Sequence, residues 1–193
     1  MTTKVPRHLS PIPEPPAARW LFSDLRLAPI WLVIRLYAGY EWASAGWEKL
    51  HSPAWVGPGA GSALRGFLGG AIRAGAGAHP NVQGWYLWLI HHLFLPAAPG
   101  MSYLVSAGEF AVGIALILGL FTGIAAFFGG FMNANYLLAG TVSTNPALFI
   151  LATLLVLAWR VSGYWGIDAW LLPALGVPGY PGKWFRGAQQ GRV

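Results

Sequence analysis

"SAGEFAVGIALILGLFTGIAAFFGGFMNANYLLAGTVSTNP", residues 106–146, decides the fold. It contains most of two apolar runs, each near the roughly 20 residues needed to cross a bilayer's hydrocarbon core. Only two or three residues separate them, so they form a tight antiparallel hairpin. The same stretch places Glu109, Asn133, Asn135 and Tyr136 inside the apolar runs. In a water-soluble core these are hydrogen-bonded packing. In lipid, each is a polar group that needs a partner and points toward function. The polar turn "STNP" then ends the second run and leads into a third.

Working outward, the pattern gives an all-α membrane protein, a bundle of four transmembrane helices spanning about 29–50, 101–120, 123–142 and 147–167. Composition agrees. The chain is 55% hydrophobic and 9% charged, with 26 Gly and 11 Trp, whereas soluble domains carry about 25% charged residues. The formal charge of +6 lies mostly in the terminal segments, which suits an anionic membrane surface rather than nucleic acid. With no cysteine, disulfides, thiolate metal sites and iron–sulfur clusters on this chain are excluded.

The domain reading is a Pro-rich cytoplasmic tail (1–28), a membrane domain (29–167) and a cytoplasmic tail (168–193). Residues 1–28 hold five prolines before any apolar run, so they do not read as a signal peptide; a short surface helix is expected around 19–27. Residues 51–100 form one long outer loop. Its Gly-rich first half reads as flexible; its second half, "NVQGWYLWLIHHLFLP", reads as a re-entrant or interface-lying helix. Seven Lys and Arg in the tails against Arg65 and Arg73 in the loop place both termini in the cytoplasm.

At about 1.5 Å per residue, Glu41, Glu109 and Asn133 reach one level near the bilayer centre, with Arg35 and Arg160 about two turns below. Ser102, Ser106, Glu109 and Gly113 share a stripe on the second span; Gly129, Gly130, Asn133, Tyr136 and Gly140 share one on the third. The first span carries two competing stripes. Tyr37, Glu41, Ser44 and Glu48 form one; Arg35, Gly39, Trp42, Gly46 and Lys49 form the other. Only one can face the bundle. The embedded charges read either as ion pairs that lock short helices together or as a proton- or anion-handling site. His91 and His92 point about 100° apart on a helix and no span carries a histidine, so no haem or metal is expected. "GPGAGS" lacks the Gly-Lys-Ser/Thr ending of a phosphate loop.

Together "RLYAGYEWASAGWEKL" (35–50), the stretch quoted first and "LVLAWRVSGYWGIDAWLLP" (155–173) give a pattern that resembles the DoxX family. Within it the chain is similar to the DoxD-like branch, the membrane subunit of thiosulfate:quinone oxidoreductases. The resemblance covers about residues 28–175. It implies that two thiosulfates are joined to tetrathionate while a membrane quinone is reduced, in a bacterial or archaeal plasma membrane and beside a smaller partner subunit. On the chemistry of those reactants, Glu109 and Glu41 are the candidate catalytic carboxylates. Lys49, Arg35 and Arg160 are the cations for a dianion, with Arg65 or Arg73 assisting Lys49. Asn133 and Tyr136 would hydrogen-bond quinone, with Trp85, Trp88 and Phe94 walling its slot; simple interfacial anchoring accounts equally for those aromatics. The competing reading is a non-catalytic accessory subunit of a larger respiratory or photosynthetic complex. A solute transporter is disfavoured, because no inverted repeat with broken helices is evident.

Overall fold

The computed structural model describes residues 14–177; the tail segments 1–13 and 178–193 lie outside the described residues. All regular structure among the described residues is helical. Helix α1 (Pro16–Ser23) leads through a short turn into α2 (Ala28–Leu50). Then come α3 (Ser62–Ala74), α4 (Gly84–Leu89), α5 (Ala98–Leu118), α6 (Thr122–Leu138), α7 (Asn145–Leu157), α8 (Trp159–Ser162) and α9 (Asp168–Leu175). Prolines at the first turns of α1, α2, α5 and α7 start helices where a backbone N–H has no partner to lose. Helix α5 is long and apolar enough to cross a membrane by itself; α7 is apolar but shorter.

Four helices close a ring. Helix α2 packs on α5, α5 on α6, α6 on α7, and α7 back on α2. The tightest seam is α2 on α5, where small residues interlock. A side chain at Gly46 would collide with the Phe110 backbone, and one at Gly113 with that of Ala43. Glycines on both sides bring the backbones into dispersion contact, the main attraction between helices that share an apolar solvent. The bundle core gathers Trp31, Trp42, Leu116, Ala126, Leu155 and Val161.

Three regions depart from the reading of the sequence. The Gly-rich half of the long loop contains α3, whose Leu64, Leu68 and Ala71 bury against Val82, Tyr86, Ile90, Ala98 and Ala139. Residues 51–100 thus build a second core on one end of the bundle, and α4 runs through a wide turn (Ile90–Phe94) almost directly into α5. The expected fourth span, 147–167, breaks at Ala158 into α7 and α8. Finally, residue 168 opens a helix instead of a tail, and its carboxylate is buried.

That carboxylate explains the break. Asp168 accepts hydrogen bonds from the backbone N–H of Phe121 (2.7 Å) and Thr122 (2.8 Å). Phe121 sits in the left-handed region at φ 45, unfavourable for a bulky side chain. The cap holds that turn and satisfies donors that an α-helix leaves open at its start. Leu118 and Gly119 carbonyls in turn accept from Ile167 and Asp168 N–H. Segment 165–168 is therefore tied to the α5–α6 hairpin, and a straight fourth helix through residue 167 would lose that tie.

Candidate functional site

The stripe Ser102, Ser106, Glu109, Gly113 faces the bundle and every member is buried. Ser106 donates to the Ser102 carbonyl one turn back, and Ser102 to the carbonyl of Trp55 in the loop (2.7 Å). Glu109, 1% exposed, lies between two elements. Lys49 of α2 donates to one carboxylate oxygen and Tyr136 of α6 to the other, both at 2.5 Å. The Lys49 stem runs past Trp55, its ammonium 5.2 Å from the ring centre, and its side chain stays 21% exposed at the bundle end. Tyr136 sits between the rings of Trp42 and Phe67. Lys49, Glu109 and Tyr136 therefore form one hydrogen-bonded line from the surface to the interior.

The interior end of that line is a cleft of about 600 Å³, within the ordinary range of small-molecule sites. It opens between the loop-built core and the bundle. Aromatic residues Phe67, Tyr86, Phe94, Phe128 and Phe131 wall it, and Tyr136 and Asn135 of α6 line it with their polar atoms already engaged by Glu109, Tyr86 and the Phe131 carbonyl. Asn135 holds α4 in place, since its carbonyl and side-chain oxygen both accept from the Tyr86 hydroxyl. One turn from Tyr136, Asn133 is fully buried, and neither end of its amide has a partner among the described residues. Such a group costs about 1–3 kcal/mol; it lies behind the cleft and is not among the residues that line it.

Several expected members lie elsewhere. The packing of Gly46 on Phe110 and of Gly113 on Ala43 brings Glu109 level with the 46–49 turn of α2. Glu41, nearly two turns away, belongs to the other stripe and forms no side-chain hydrogen bond or ion pair among the described residues. Equal counting from helix ends put Glu41 and Glu109 together because it ignored the offset between the helices. Lys49, Arg35 and Arg160 do not converge. Arg35 is buried, donating to the Trp165 carbonyl (3.1 Å) with its guanidinium against Gly119 and Gly166. Arg160 is half-exposed, 3.8 Å from Glu14. Trp85 and Trp88 are exposed and turned from the cleft; Trp88 stacks on His92. Phe94, expected beside them, does line the cleft, and Tyr86 takes the place of the two tryptophans.

Sequence reasoning missed Asp168 as the cap of α6. The available signal was a lone acid in "YWGIDAWLLP", an apolar segment where a charge has to be engaged. It also missed Phe67, which comes from the glycine-rich half of the loop. Among the described residues no group of three His, Asp or Glu side chains is placed to hold a metal. In comparisons with known proteins, the family model described as DoxX matches residues 30–141. Neither the curated proteins nor the solved structures gave a match.

Proposed function

The chain belongs to the DoxX family of membrane proteins, and from that premise we propose that it takes a lipid-soluble quinone into the cleft and delivers protons to it through Glu109 and Tyr136. The system would be of the thiosulfate:quinone oxidoreductase kind. The observation that carries the reading is the unbroken line Lys49–Glu109–Tyr136 from the surface to an aromatic cleft. The lining suits the group: flat apolar walls with the Tyr136 phenol among them. When bound, a quinone supplies a two-electron, two-proton acceptor.

The chain's own residues do the rest. Lys49 keeps Glu109 engaged at the surface end and offers an exchangeable proton near water. Glu109 accepts from both the Lys49 ammonium and the Tyr136 hydroxyl. It would take a proton from Lys49, which regains one from water, and return it to Tyr136 after that hydroxyl has turned and released its own proton toward the cleft. The aromatic walls exclude water from the acceptor. Joining two thiosulfates to tetrathionate releases two electrons, matching that demand. Arg65 and Arg73, both exposed on the loop helix, would attract the dianion near Lys49.

The topology that goes with this is a four-span bundle, with α2, α5, α6 and the α7–α8 pair crossing the membrane. Both termini are cytoplasmic, so Lys49 lies at the outer end and Arg35 at the inner. Single cysteines placed at Ser10 and Ala76 in this cysteine-free chain test it: an impermeant thiol reagent should label Ala76→Cys from outside and Ser10→Cys only in opened cells.

The decisive assay uses the full chain in lipid nanodiscs. Quinone titration should saturate, Tyr136→Phe and Glu109→Gln should each weaken binding or thiosulfate-dependent reduction about tenfold or more, and Trp85→Ala should do neither. Undiminished binding and turnover in both cleft variants would defeat the reading. One observation favours a second reading, an accessory subunit of a larger complex: the three span cations are dispersed and so build no single dianion site.

A further inference from the structure

The face of α2 turned away from the bundle is unlike the other exposed faces. On α6 the exposed side chains are Ile124, Phe127, Phe128 and Phe131, apolar throughout and suited to lipid. On α2 the outward stripe combines Tyr37, Tyr40, Glu41, Ser44 and Glu48 at helical spacing. Tyr37, Tyr40 and Glu48 are exposed and Glu41 is half-buried, and neither carboxylate has a partner among the described residues. Ser44 satisfies itself on the Tyr40 carbonyl (2.8 Å), as a serine does when no neighbour serves it.

Glu41 lies nine residues from the end of α2, or about 14 Å along the axis. That is deep within a bilayer if α2 crosses one, a point on which this inference rests. A charge there facing lipid is disfavoured by about 2.5–3.5 kcal/mol. Among the described residues no span cation is free to meet it: Lys49 is committed to Glu109, Arg35 is buried behind Gly119 and Gly166, and Arg160 lies beside Glu14. A second copy related by a two-fold axis would set this acidic stripe against itself.

We propose that the Tyr37–Glu48 face of α2 docks a membrane helix of a different protein, one that presents Lys or Arg at the depth of Glu41. The two tyrosines supply flat packing surface and hydroxyls beside that ion pair. The acidic pair, a little under two turns apart, fixes the partner's register.

The test is a photo-cross-linking residue at Tyr40 of the full chain in its native membranes, with the same residue at Phe127 as the lipid-facing control. The expected result is an adduct at Tyr40 alone, mapped to another protein's membrane segment that contains Lys or Arg. Its yield should fall by more than about tenfold in Glu41→Lys and recover when the partner's cation is changed to Glu. Glu41→Gln, a smaller change, should reduce it partially, while an unchanged melting temperature in detergent for both variants shows that the chain remains folded. The proposal is overturned by an adduct of twice the 20.7 kDa chain, by lipid adducts only, by equal yields at the two positions, or by yield insensitive to Glu41→Lys. Cross-linking that persists in a chain without quinone uptake would sink the cleft's function and leave this surface standing.

Discussion

At the end of the bundle that carries the 51–100 segment, Glu109 shares its two oxygens between an ammonium and a phenol on different helices. At the opposite end, Asp168 accepts at both oxygens from backbone N–H groups of one turn, while the nearby Arg35 keeps only the Trp165 carbonyl and leaves two nitrogens without partners. Both carboxylates are buried, yet their partners differ in kind. Side-chain partners that can exchange protons suit the Glu109 cluster to the proposed relay beside the cleft. Fixed backbone donors make the Asp168 cluster a clasp that pins segment 165–168 to the α5–α6 turn. Burial of a charge therefore does not by itself mark a reactive site; the chemical kind of its partners separates the two.

Substitutions that separate stability from ligand handling can break or sharpen this contrast. The largest effect is expected for Asp168→Ala, which strands two buried N–H groups beside the strained Phe121 turn. It should lower unfolding stability in detergent by about 3–5 kcal/mol, with Asp168→Asn retaining part of it. Gly113→Leu comes next, because its side chain would strike the Ala43 backbone; a loss of about 2–3 kcal/mol should appear as a lower melting temperature. Glu109→Gln should cost about 1–3 kcal/mol of stability while removing most quinone affinity, the reverse of the Asp168 pattern. Tyr136→Phe deletes one hydrogen bond, about 1 kcal/mol, and should be felt mainly in proton-coupled turnover.

The smallest response belongs to Asp24, outside the spans, which the Arg26 guanidinium 2.6 Å away holds down to about 2. A depressed carboxylate stabilises above its unfolded value of about 3.9 and loses that contribution as pH falls toward 2. The pair is solvent-exposed, so the melting curves of Asp24→Asn and the parent should differ only slightly above pH 4, where the contribution is present, and converge as pH falls toward 2.

The helices of the bundle were legible because apolar run length and a two-residue hairpin leave few alternatives, and the stripes on α5 and α6 point inward as their small and polar residues require. The pairing of Glu109 with Tyr136 follows from those stripes. Its pairing with Lys49 was not legible, because axial offset between helices depends on where glycines let backbones touch, here Gly46 and Gly113. Helix α3 was hidden by its own glycines: Gly66, Gly69 and Gly70 depress local propensity, but Leu64, Leu68 and Ala71 recover the helix by burial on Tyr86 and Ile90. The capping role of Asp168 was not legible because its partners are backbone groups 46 and 47 residues away.

Photolabelling with an azido-quinone in nanodiscs, followed by peptide mapping, tests the central claim most directly. Labels confined to the cleft-lining turns of α5 and α6 around Leu104–Val112 and Phe128–Tyr136, and competed by unmodified quinone, are the predicted result. Uncompeted labelling, or labels spread over the apolar face of α6 at Ile124 and Phe127, would contradict it.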